Sequence, residues 1–303
     1  MSVSSPPVIQ LRKLTKRYGK GRGIENVNIT VNQGEIFGFL GPNGAGKTTT
    51  INLLLDIIRP TSGQIKLFGK HDVKNNAELR RNIGFLSGDM ELYEHLTGQQ
   101  YIALVGRISK NLDEDKLAEL EIRLQADLSK KIKTLSRGNK QKIGLIATLA
   151  RSTKLLILDE PTSGLDPLIQ QEFNELIREY QKNGGTVFIS SHILSEVQTL
   201  CDRVMFIKEG KIVTSGKVHD LMKGIKKRVM VRAAPSVLHS IQRMRGISDF
   251  HSEGEVARFE ITGNLSTVLT ALPLQKIEDI TISPPDLEEL FMHYYEPEKE
   301  AKK

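Results

Sequence analysis

The sequence has little of what marks secreted and membrane-spanning proteins. Cys201 is the only cysteine in 303 residues, so an internal disulfide is excluded, which fits a reducing cytosol. No stretch approaches the roughly 18 uninterrupted apolar residues that a membrane-spanning helix needs. The first residues, Met1 to Pro7, lack the apolar core of a secretory signal. These absences predict a protein of the cytosol or of the cytosolic side of a membrane.

A strong charge bias and a high aromatic content are also missing. Basic residues number 43 and acidic residues 36, which gives a formal net charge of +7, and aromatic residues make up 5%. A basic excess can indicate a nucleic acid or an anionic membrane surface as partner. The lysines lie in short groups, such as Lys130-Lys131, without interleaved aromatic residues. The pattern favours a solvated surface, and we expect no nucleic-acid partner.

The chain up to about residue 224 alternates short apolar runs with helical patterns. Hydrophobic residues make up 39% and charged residues 26%, which allows a packed core. This alternation predicts an α/β domain. The stretch from Asp89 to Leu128 has no convincing strand pattern, which indicates a separate helical lobe. Strands are expected at 8–14, 24–31, 35–40, 155–158, 186–190 and 204–208, and helices after Gly46, Thr97, Asp113, Ser136, Pro167 and Ile193.

A second, smaller unit is predicted to follow, over residues 225–296, with a charged tail at 297–303. Its order of elements, strand, helix, two strands, helix and strand, matches a ferredoxin-like α+β domain. A final helix is expected from Asp286. The strands are expected at 228–232, 247–251, 256–262 and 277–282, and the helices between them at 235–244 and 265–272.

A glycine-rich loop of the form G-x-x-x-x-G-K-[ST] lies between a predicted strand and a predicted helix. Glycines allow backbone N–H groups to converge on phosphate oxygens, and the following helix N-terminus adds partial positive charge. Lys47 can contact the β- and γ-phosphates, and the Thr48 hydroxyl can ligate Mg²⁺. The motif predicts ATP binding by Gly41, Pro42, Asn43, Gly44, Ala45, Gly46, Lys47, Thr48 and Thr49.

Two acidic residues end the apolar run that begins at Leu155. A buried strand with this ending places carboxylates at the edge of the sheet where ligands bind in α/β folds. Asp159 is expected to hold Mg²⁺, directly or through water. Glu160 is expected to polarise the water that attacks the γ-phosphate, because phosphoryl transfer depends mainly on positioning and charge.

Further motifs lie along the same part of the chain. Residues 135–139, Leu-Ser-Arg-Gly-Asn, are a degenerate form of the sequence LSGGQ, from which Arg137 and Asn139 depart. Residues 163–166, Ser-Gly-Leu-Asp, follow Pro-Thr, and His192 follows a predicted strand. Tyr18 precedes a glycine near the N-terminus. In this order and spacing the motifs resemble the ATP-binding cassette (ABC) family, over residues 8 to 224.

The resemblance implies the fold and the catalytic residues. The fold would be a P-loop NTPase core of the ABC type, with an antiparallel β subdomain and a helical lobe at about 89–151. Tyr18 would stack on adenine. Lys47, Glu160 and His192, the last as the switch histidine of the family, would be the catalytic residues.

The resemblance also implies the partners. Family members form head-to-tail dimers in which the signature of one cassette caps the γ-phosphate bound by the other. Ser136, Gly138 and the D-loop residue Asp166 would therefore contact ATP. Hydrolysis would power transport through a separate transmembrane permease, with the second cassette either an identical or a different chain. The protein would lie at the cytoplasmic face of the membrane.

One position departs from the family pattern. Family members carry a glutamine after the strand at 83–87, where it links Mg²⁺ to the permease, but Gly88 and Asp89 follow that strand here. Glycine has no side chain to ligate metal, so the contact is either absent or made by Asp89. Residues 88–96 mix acids with apolar residues, and we expect Leu92 and Tyr93 to contact a short helix of the permease. The alternative is a solvated loop whose apolar residues pack on their own lobe.

The end of the chain resembles a particular group within the family. Residues 284–291, Pro-Pro-Asp-Leu-Glu-Glu-Leu-Phe, are similar to the end of ATPases from type-2 ABC exporters, which include drug and antibiotic self-resistance pumps. The alternative is an ordinary amphipathic closing helix. Two other functions stay open at this point. One is a soluble ABC ATPase that acts on ribosomes or DNA, and the other is a nucleotide sensor without turnover, against which Glu160 argues.

Overall fold

The computed structural model describes residues 6–19, 21–71, 76–223, 226–261, 265–273 and 276–283. The chain divides into two compact units, Met1–Val218 and His219–Lys303. No helix in these described ranges is both long and apolar enough to cross a membrane. The expected helix from Asp286, the segment at 284–291 and the tail at 297–303 lie outside the described residues.

The elements alternate much as the sequence predicts. The strands are β1 Ile9–Arg17, β2 Gly23–Val31, β3 Ile36–Leu40, β4 Ser62–Leu67, β5 Ile83–Leu86, β6 Leu155–Asp159, β7 Thr186–Ser191, β8 Arg203–Lys208, β9 Lys211–Lys217, β10 Lys227–Ala233, β11 Ile247–Glu253, β12 Val256–Ile261 and β13 Ile277–Ser283. The helices are α1 Lys47–Leu54, α2 Ala77–Arg81, α3 Gly98–Ser109, α4 Glu114–Arg123, α5 Arg137–Leu149, α6 Pro167–Lys182, α7 Leu194–Leu200, α8 Val218–Lys223, α9 Pro235–Gln242 and α10 Leu265–Ala271.

A six-stranded sheet in the order β5-β6-β7-β3-β8-β9 forms the centre of the first unit. Its first five strands are parallel, and β9 joins the edge in the antiparallel direction. Every residue of β3, β6 and β7 is buried. Parallel strands covered on both faces require such continuous apolar runs, which is why the sequence signalled them clearly.

A smaller antiparallel sheet in the order β2-β1-β4 completes the predicted β subdomain. Strands β1 and β2 alternate buried and exposed residues over much of their length. One hydrophobic core contains residues from both sheets, such as Ile9 and Val27 from the small sheet and Phe37 and Phe188 from the central one. This shared core fixes the small sheet against the strands that lead into the glycine-rich loop.

The helical lobe begins with a well-capped helix. The Thr97 hydroxyl accepts a hydrogen bond from Gln100 N, and the Gln100 side chain accepts one from Thr97 N, which is a capping box. Asp113 and Ser136 cap α4 and α5 by accepting one backbone hydrogen bond each, from Lys116 N and Asn139 N, without a capping box. These helix starts agree with the sequence, because polar caps are a local signal that does not depend on tertiary packing.

The second unit has the predicted α+β pattern. Its four strands form an antiparallel sheet in the order β11-β12-β10-β13. The core of this unit includes Val231 and Phe259 from the sheet and Leu238 and Val268 from α9 and α10. The order of elements and the strand order together are those of a ferredoxin-like fold, which confirms the predicted fold class. Helix α9 ends at Gln242, two residues before the expected end.

Candidate functional site

The glycine-rich loop connects β3 to α1 and closes around the side chain of Lys47. Its ammonium group donates hydrogen bonds to Gly41 O at 2.8 Å and to Pro42 O at 3.3 Å. A Cβ atom at Gly41 would lie 2.3 Å from Ile207 O, so only glycine fits there. The loop bends through Gly46, where φ is 112°, a conformation that favours glycine. The loop thus holds the buried ammonium group of Lys47 against its own carbonyl groups, beside the start of α1.

The rest of the loop is open to solvent. Asn43, Gly44 and Thr48 are exposed, whereas Ala45 and Lys47 are buried. Helix α1 begins at Lys47 without a side-chain cap. Its first N–H groups therefore have no capping side chain, and this is the arrangement that binds phosphate at a helix N-terminus. Pro42, Gly46 and Thr49 are half-buried within the same loop and helix start.

A hydroxyl and a carboxylate meet at the carboxyl end of β6. The Thr48 hydroxyl donates a hydrogen bond to Asp159 Oδ2 at 3.0 Å, and the Ser190 hydroxyl donates to Asp159 Oδ1. Among the described residues, no group of three or more His, Cys, Asp and Glu could hold a metal ion. Mg²⁺ is commonly bound through one or two carboxylates together with substrate phosphates and waters. Thr48 and Asp159 fit that ion.

Glu160 lies next to the loop lysine and to the predicted switch histidine. Its Oε1 atom is 3.5 Å from Lys47 Nζ and 3.1 Å from His192 Nδ1. Strands β6 and β7 are neighbours in the sheet, so the residues that follow them emerge side by side. The structure therefore brings together all three residues predicted to be catalytic, although they are up to 145 positions apart in the sequence (from Lys47 to His192).

The backbone of Glu160 has an unusual conformation. Its φ is 46°, in the left-handed region that residues with a Cβ atom rarely adopt. Its N–H donates a hydrogen bond to Ser190 O at 3.1 Å, which continues the pairing of β6 with β7 beyond the last residue of β6. Such strained residues persist where neighbouring contacts hold them, and they concentrate at functional sites.

The degenerate signature lies at the start of α5 and contacts the loop at residues 163–166. The Ser136 hydroxyl caps α5 by accepting a hydrogen bond from Asn139 N at 3.4 Å. The Arg137 guanidinium donates to Ser163 Oγ at 3.0 Å. A Cβ atom at Gly138 would lie 2.4 Å from Gly164 O. Gly138 is thus needed for packing within the chain, a requirement that the sequence did not reveal.

Asp166 and Tyr18, two further predicted contact residues, occupy different settings. The Asp166 carboxylate caps α6 by accepting a hydrogen bond from Ile169 N at 3.1 Å. The Tyr18 ring, just after β1, is 45% exposed, and Lys16 Nζ lies 5.2 Å from its centroid. The contacts of both residues are local, and the exposed ring is free to stack on a planar ligand such as adenine.

Sequence reasoning missed two residues that hold the segment after Glu160. Gln141, on the signature helix, donates from Nε2 to Pro161 O at 2.7 Å, and both groups are buried. The Thr162 hydroxyl donates to Glu196 Oε2 at 2.7 Å. Burial raises the pKa of the Glu196 carboxyl above its usual range, while its hydrogen bonds and His192 act in the opposite direction. Nothing in the local sequence around Gln141 or Glu196 predicts these contacts, because they join distant parts of the chain.

Gly88, where the family carries a glutamine, lies against the strand that bears Asp159. A Cβ atom at Gly88 would lie 3.2 Å from Asp159 O, so a larger side chain there requires a small shift. Farther along, the Leu92 side chain is 8% exposed and packs in its own lobe, whereas Tyr93 is 57% exposed. Tyr93 is therefore accessible and Leu92 is mostly covered, although Leu92 also lines a small cavity beside this segment. The expected contact of both residues with a permease stays a prediction.

Sequence comparison finds relatives among the subunits of ABC transporters. The family model described as "ABC transporter" matches residues 24–163. The bacitracin transport ATP-binding protein BcrA of Bacillus licheniformis is 43% identical over 210 residues, which cover 68% of each chain. The lantibiotic transport ATP-binding protein SrtF of Streptococcus pyogenes is 37% identical over 207 residues, 68% of this chain and 89% of that protein.

Solved structures with the same fold are also ABC cassettes. An ATP-binding subunit of an ABC transporter has a TM-score of 0.65 and 27% identity, and covers 71% of this chain and 92% of that one. The cassette cbiO1 of Clostridium perfringens has a TM-score of 0.61 and 28% identity, with 79% and 96% coverage. The chain belongs to the ABC family, and it is an ATP-binding, ATP-hydrolysing subunit of an ABC transporter.

Proposed function

We propose that this chain powers an exporter of the type-2 group, with a peptide antibiotic as cargo. The observation that carries the ATP-driven part of the proposal is the placement of Lys47, Glu160 and His192 at one end of the central sheet. The relatives named for bacitracin and lantibiotic transport support the cargo class. They also favour a transporter over an ATPase that acts on ribosomes or DNA.

In the proposed reaction, ATP lies on the glycine-rich loop with its phosphates at the N-terminus of α1. Lys47 leaves its loop carbonyls to contact the β- and γ-phosphate oxygens. Mg²⁺, held by Thr48 and Asp159, would neutralise charge on the phosphates. Glu160 accepts a hydrogen bond from the attacking water and orients it in line with the bond to ADP. His192 stabilises the charge that develops on the γ-phosphate.

The proposed dimer places a second cassette over this site. Ser136 and Gly138 lie at the N-terminus of α5, so this helix end can bind the γ-phosphate held by a partner cassette. Asp166 lies in the loop that Arg137 contacts through Ser163, and this proximity to the signature supports a role for Asp166 at the same dimer surface. Each ATP would then lie between the loop of one cassette and the signature of the other. Tyr18 would stack on the adenine.

The permease is proposed to be a separate membrane protein that recruits this chain to the cytoplasmic face of the membrane. Exposed residues on the segment 88–96, above all Tyr93, are available for that contact. A cavity of about 220 Å³ lies beside this segment, with Met90, Tyr101 and Val105 among its lining residues. A short helix of the permease that inserts an apolar side chain fits a groove of this size and lining.

Purification of the tagged full-length chain from membranes in mild detergent tests this proposal. We expect a multi-spanning membrane protein to co-purify in a stoichiometric amount, and the complex to hydrolyse ATP. Deletion of the gene is expected to raise the sensitivity of the host to the exported peptide antibiotic. Recovery of ribosomes or DNA-repair proteins in place of a membrane protein would overturn the transport role.

A further inference from the structure

One carboxylate connects the two segments that carry Glu160 and His192. Glu196 lies in the first turn of α7, four residues after His192, and accepts a hydrogen bond from the Thr162 hydroxyl at 2.7 Å. Thr162 follows Glu160 by two residues and is 4% exposed. Glu196 therefore links the segment that follows Glu160 to the helix that follows His192.

This connection matters because Glu160 does not hold its conformation unaided. Its left-handed backbone, with φ of 46°, is unfavourable for a residue with a Cβ atom, so neighbouring contacts must maintain it. On one side its N–H bonds to Ser190 O. After Glu160, two hydrogen bonds hold the chain. Gln141 donates to Pro161 O, and the Thr162 hydroxyl donates to the Glu196 carboxylate. Of these contacts, the bond between Thr162 and Glu196 involves a charged side chain and is the easiest to remove selectively.

The surrounding groups make a purely structural explanation of Glu196 incomplete. A half-buried carboxylate is costly to desolvate, and an apolar residue at that position would fill the space at lower cost. The charges of His192 and Glu160 act on the pKa of Glu196 in opposite directions. A residue that served only to pack α7 would not need the hydrogen bond to Thr162.

We propose that Glu196 is a positioning residue for ATP hydrolysis. By accepting the Thr162 hydrogen bond, it fixes the backbone that follows Glu160 relative to the turn that carries His192. The Glu160 carboxylate is then held where it contacts both His192 and the attacking water. The inference rests on the proposed catalytic roles of Glu160 and His192, and it adds the contact that fixes the position of these two residues relative to each other. Glu196 itself touches neither ATP nor water in this account.

A double-mutant cycle between Thr162 and Glu196 in the full-length chain tests the proposal. Thr162→Val removes the hydroxyl at nearly constant volume, and Glu196→Ala removes the acceptor. Each is expected to lower kcat by roughly ten-fold while KM for ATP changes less than about two-fold, because misplacement of a catalytic group affects the transition state most. The double variant is expected to be no slower than either single variant, because both remove the same bond.

Conservative variants supply the rescue. Thr162→Ser retains the hydroxyl and Glu196→Gln retains an acceptor oxygen, so both are expected to keep at least half of the wild-type kcat. Additive losses in the double variant, or a change in KM equal to that in kcat, would overturn the proposal. If Glu196→Ala does not fold, Thr162→Val and Thr162→Ser still provide a test, since equal kcat in these two variants would also overturn it.

Two controls separate this proposal from its alternatives. Glu35 Oε1 and Arg203 Nε form an ion pair with a separation of 2.6 Å, at the end of the central sheet opposite the glycine-rich loop. Glu35→Gln is therefore expected to lower the melting temperature and to leave kcat unchanged. Glu160→Gln tests the proposed function on its own. If Glu160→Gln hydrolyses ATP at the wild-type rate, the catalytic assignment fails. If it loses hydrolysis while Glu196→Ala keeps the wild-type kcat, only the positioning role fails.

Discussion

The side chain of Lys47 shows how much of the site a single residue organises. It is buried, it bonds to two carbonyl groups of its own loop, and it lies 3.5 Å from Glu160. A buried ammonium group paired in this way is stable without a ligand, yet the carbonyls and the carboxylate can be exchanged for phosphate oxygens. The loop is therefore preformed for an anion, and little ordering is needed when ATP binds.

Lys47→Ala is expected to weaken ATP binding by at least about ten-fold, because the charge that faces the phosphates is lost. The loop also loses the group around which it closes, so the melting temperature is expected to fall. Titration with a fluorescent ATP analogue measures the affinity. Lys70→Ala, at an exposed position away from the loop, is a matched control. An ATP affinity equal to that of the wild type would contradict the assignment of the loop.

Glu160→Gln is expected to keep ATP affinity and lose most of the hydrolysis, by about 100-fold or more. The amide preserves the shape and the contact with His192, but it cannot accept a proton from water. The ATP-bound dimer should then accumulate. Size-exclusion chromatography with ATP measures the dimer, and phosphate release measures the rate. A variant that stays monomeric with ATP and still hydrolyses it would rule out the catalytic role.

At the scale of elements, one arginine forms a cluster of ion pairs between the helical lobe and the core. Arg123, the last residue of α4, pairs with Glu172 at 2.5 Å and Glu179 at 2.7 Å on α6, and with Glu119 on its own helix. The side chain of Arg123 is 20% exposed and that of Glu179 is 50% exposed. The arginine compensates three carboxylates, so its removal leaves them close to one another without their ion-pair partner.

Arg123→Gln is expected to lower the free energy of unfolding by about 1–2 kcal/mol, a value reduced by the solvent around Glu179. Hydrogen bonding to Arg123 lowers the pKa of Glu179. This part of the stability is therefore present above the ordinary carboxyl pKa and is lost as the pH falls through the lowered value. Urea unfolding at neutral and acidic pH measures both effects. A difference between variant and wild type that grew as the pH fell would contradict the ion-pair explanation.

Segment 88–96 contains one buried and one exposed apolar residue, Leu92 and Tyr93, which the sequence does not distinguish. Tyr93→Asp is expected to leave folding and ATP binding unchanged and to release the chain from membranes, because the ring is exposed and available to the permease. Leu92→Asp is expected instead to destabilise the lobe by about 3 kcal/mol, since it buries a charge. Membrane flotation together with thermal unfolding distinguishes the two variants. Normal membrane association of Tyr93→Asp would place the permease contact elsewhere.

At the scale of the whole molecule, the chain is divided into two units with separate cores. The residues that form the nucleotide site all precede residue 218, where the first unit ends. The second unit has its own four-stranded sheet and hydrophobic core. We expect, as the sequence suggested, that residues 1–224 form an ABC domain that folds independently of the α+β domain at 225–296.

A chain that ends at residue 224 is therefore expected to remain soluble and to bind ATP with nearly unchanged affinity. Circular dichroism and ATP titration test this expectation, and the full-length chain prepared in parallel is the reference. A truncated chain that is insoluble or does not bind ATP would mean that the second unit contributes to the stability of the first. A stable truncation that fails to restore export in cells would assign the second unit to a later step.

Local signals in the sequence determined a large part of this protein. Some features depend only on residues that are close together in the sequence, so the sequence alone predicts them. They are the glycine-rich loop, the continuous apolar strands and the polar caps at Thr97, Asp113 and Ser136. Strand β4 was missed because most of its residues are at least partly exposed, which leaves a weak hydrophobic pattern. The order of the motifs likewise identifies the family, since each motif consists of a few consecutive residues.

Only the tertiary structure decided which residues support the motifs. The bond between Thr162 and Glu196 spans 34 positions, and that between Gln141 and Pro161 spans 20. Gly138 is fixed by packing against Gly164 O, and Leu92 is buried while Tyr93 is exposed. Such features depend on how helices pack on the sheet and on one another. Periodicity gives the buried face of an element, but the partner that covers each residue is set only by the folded chain.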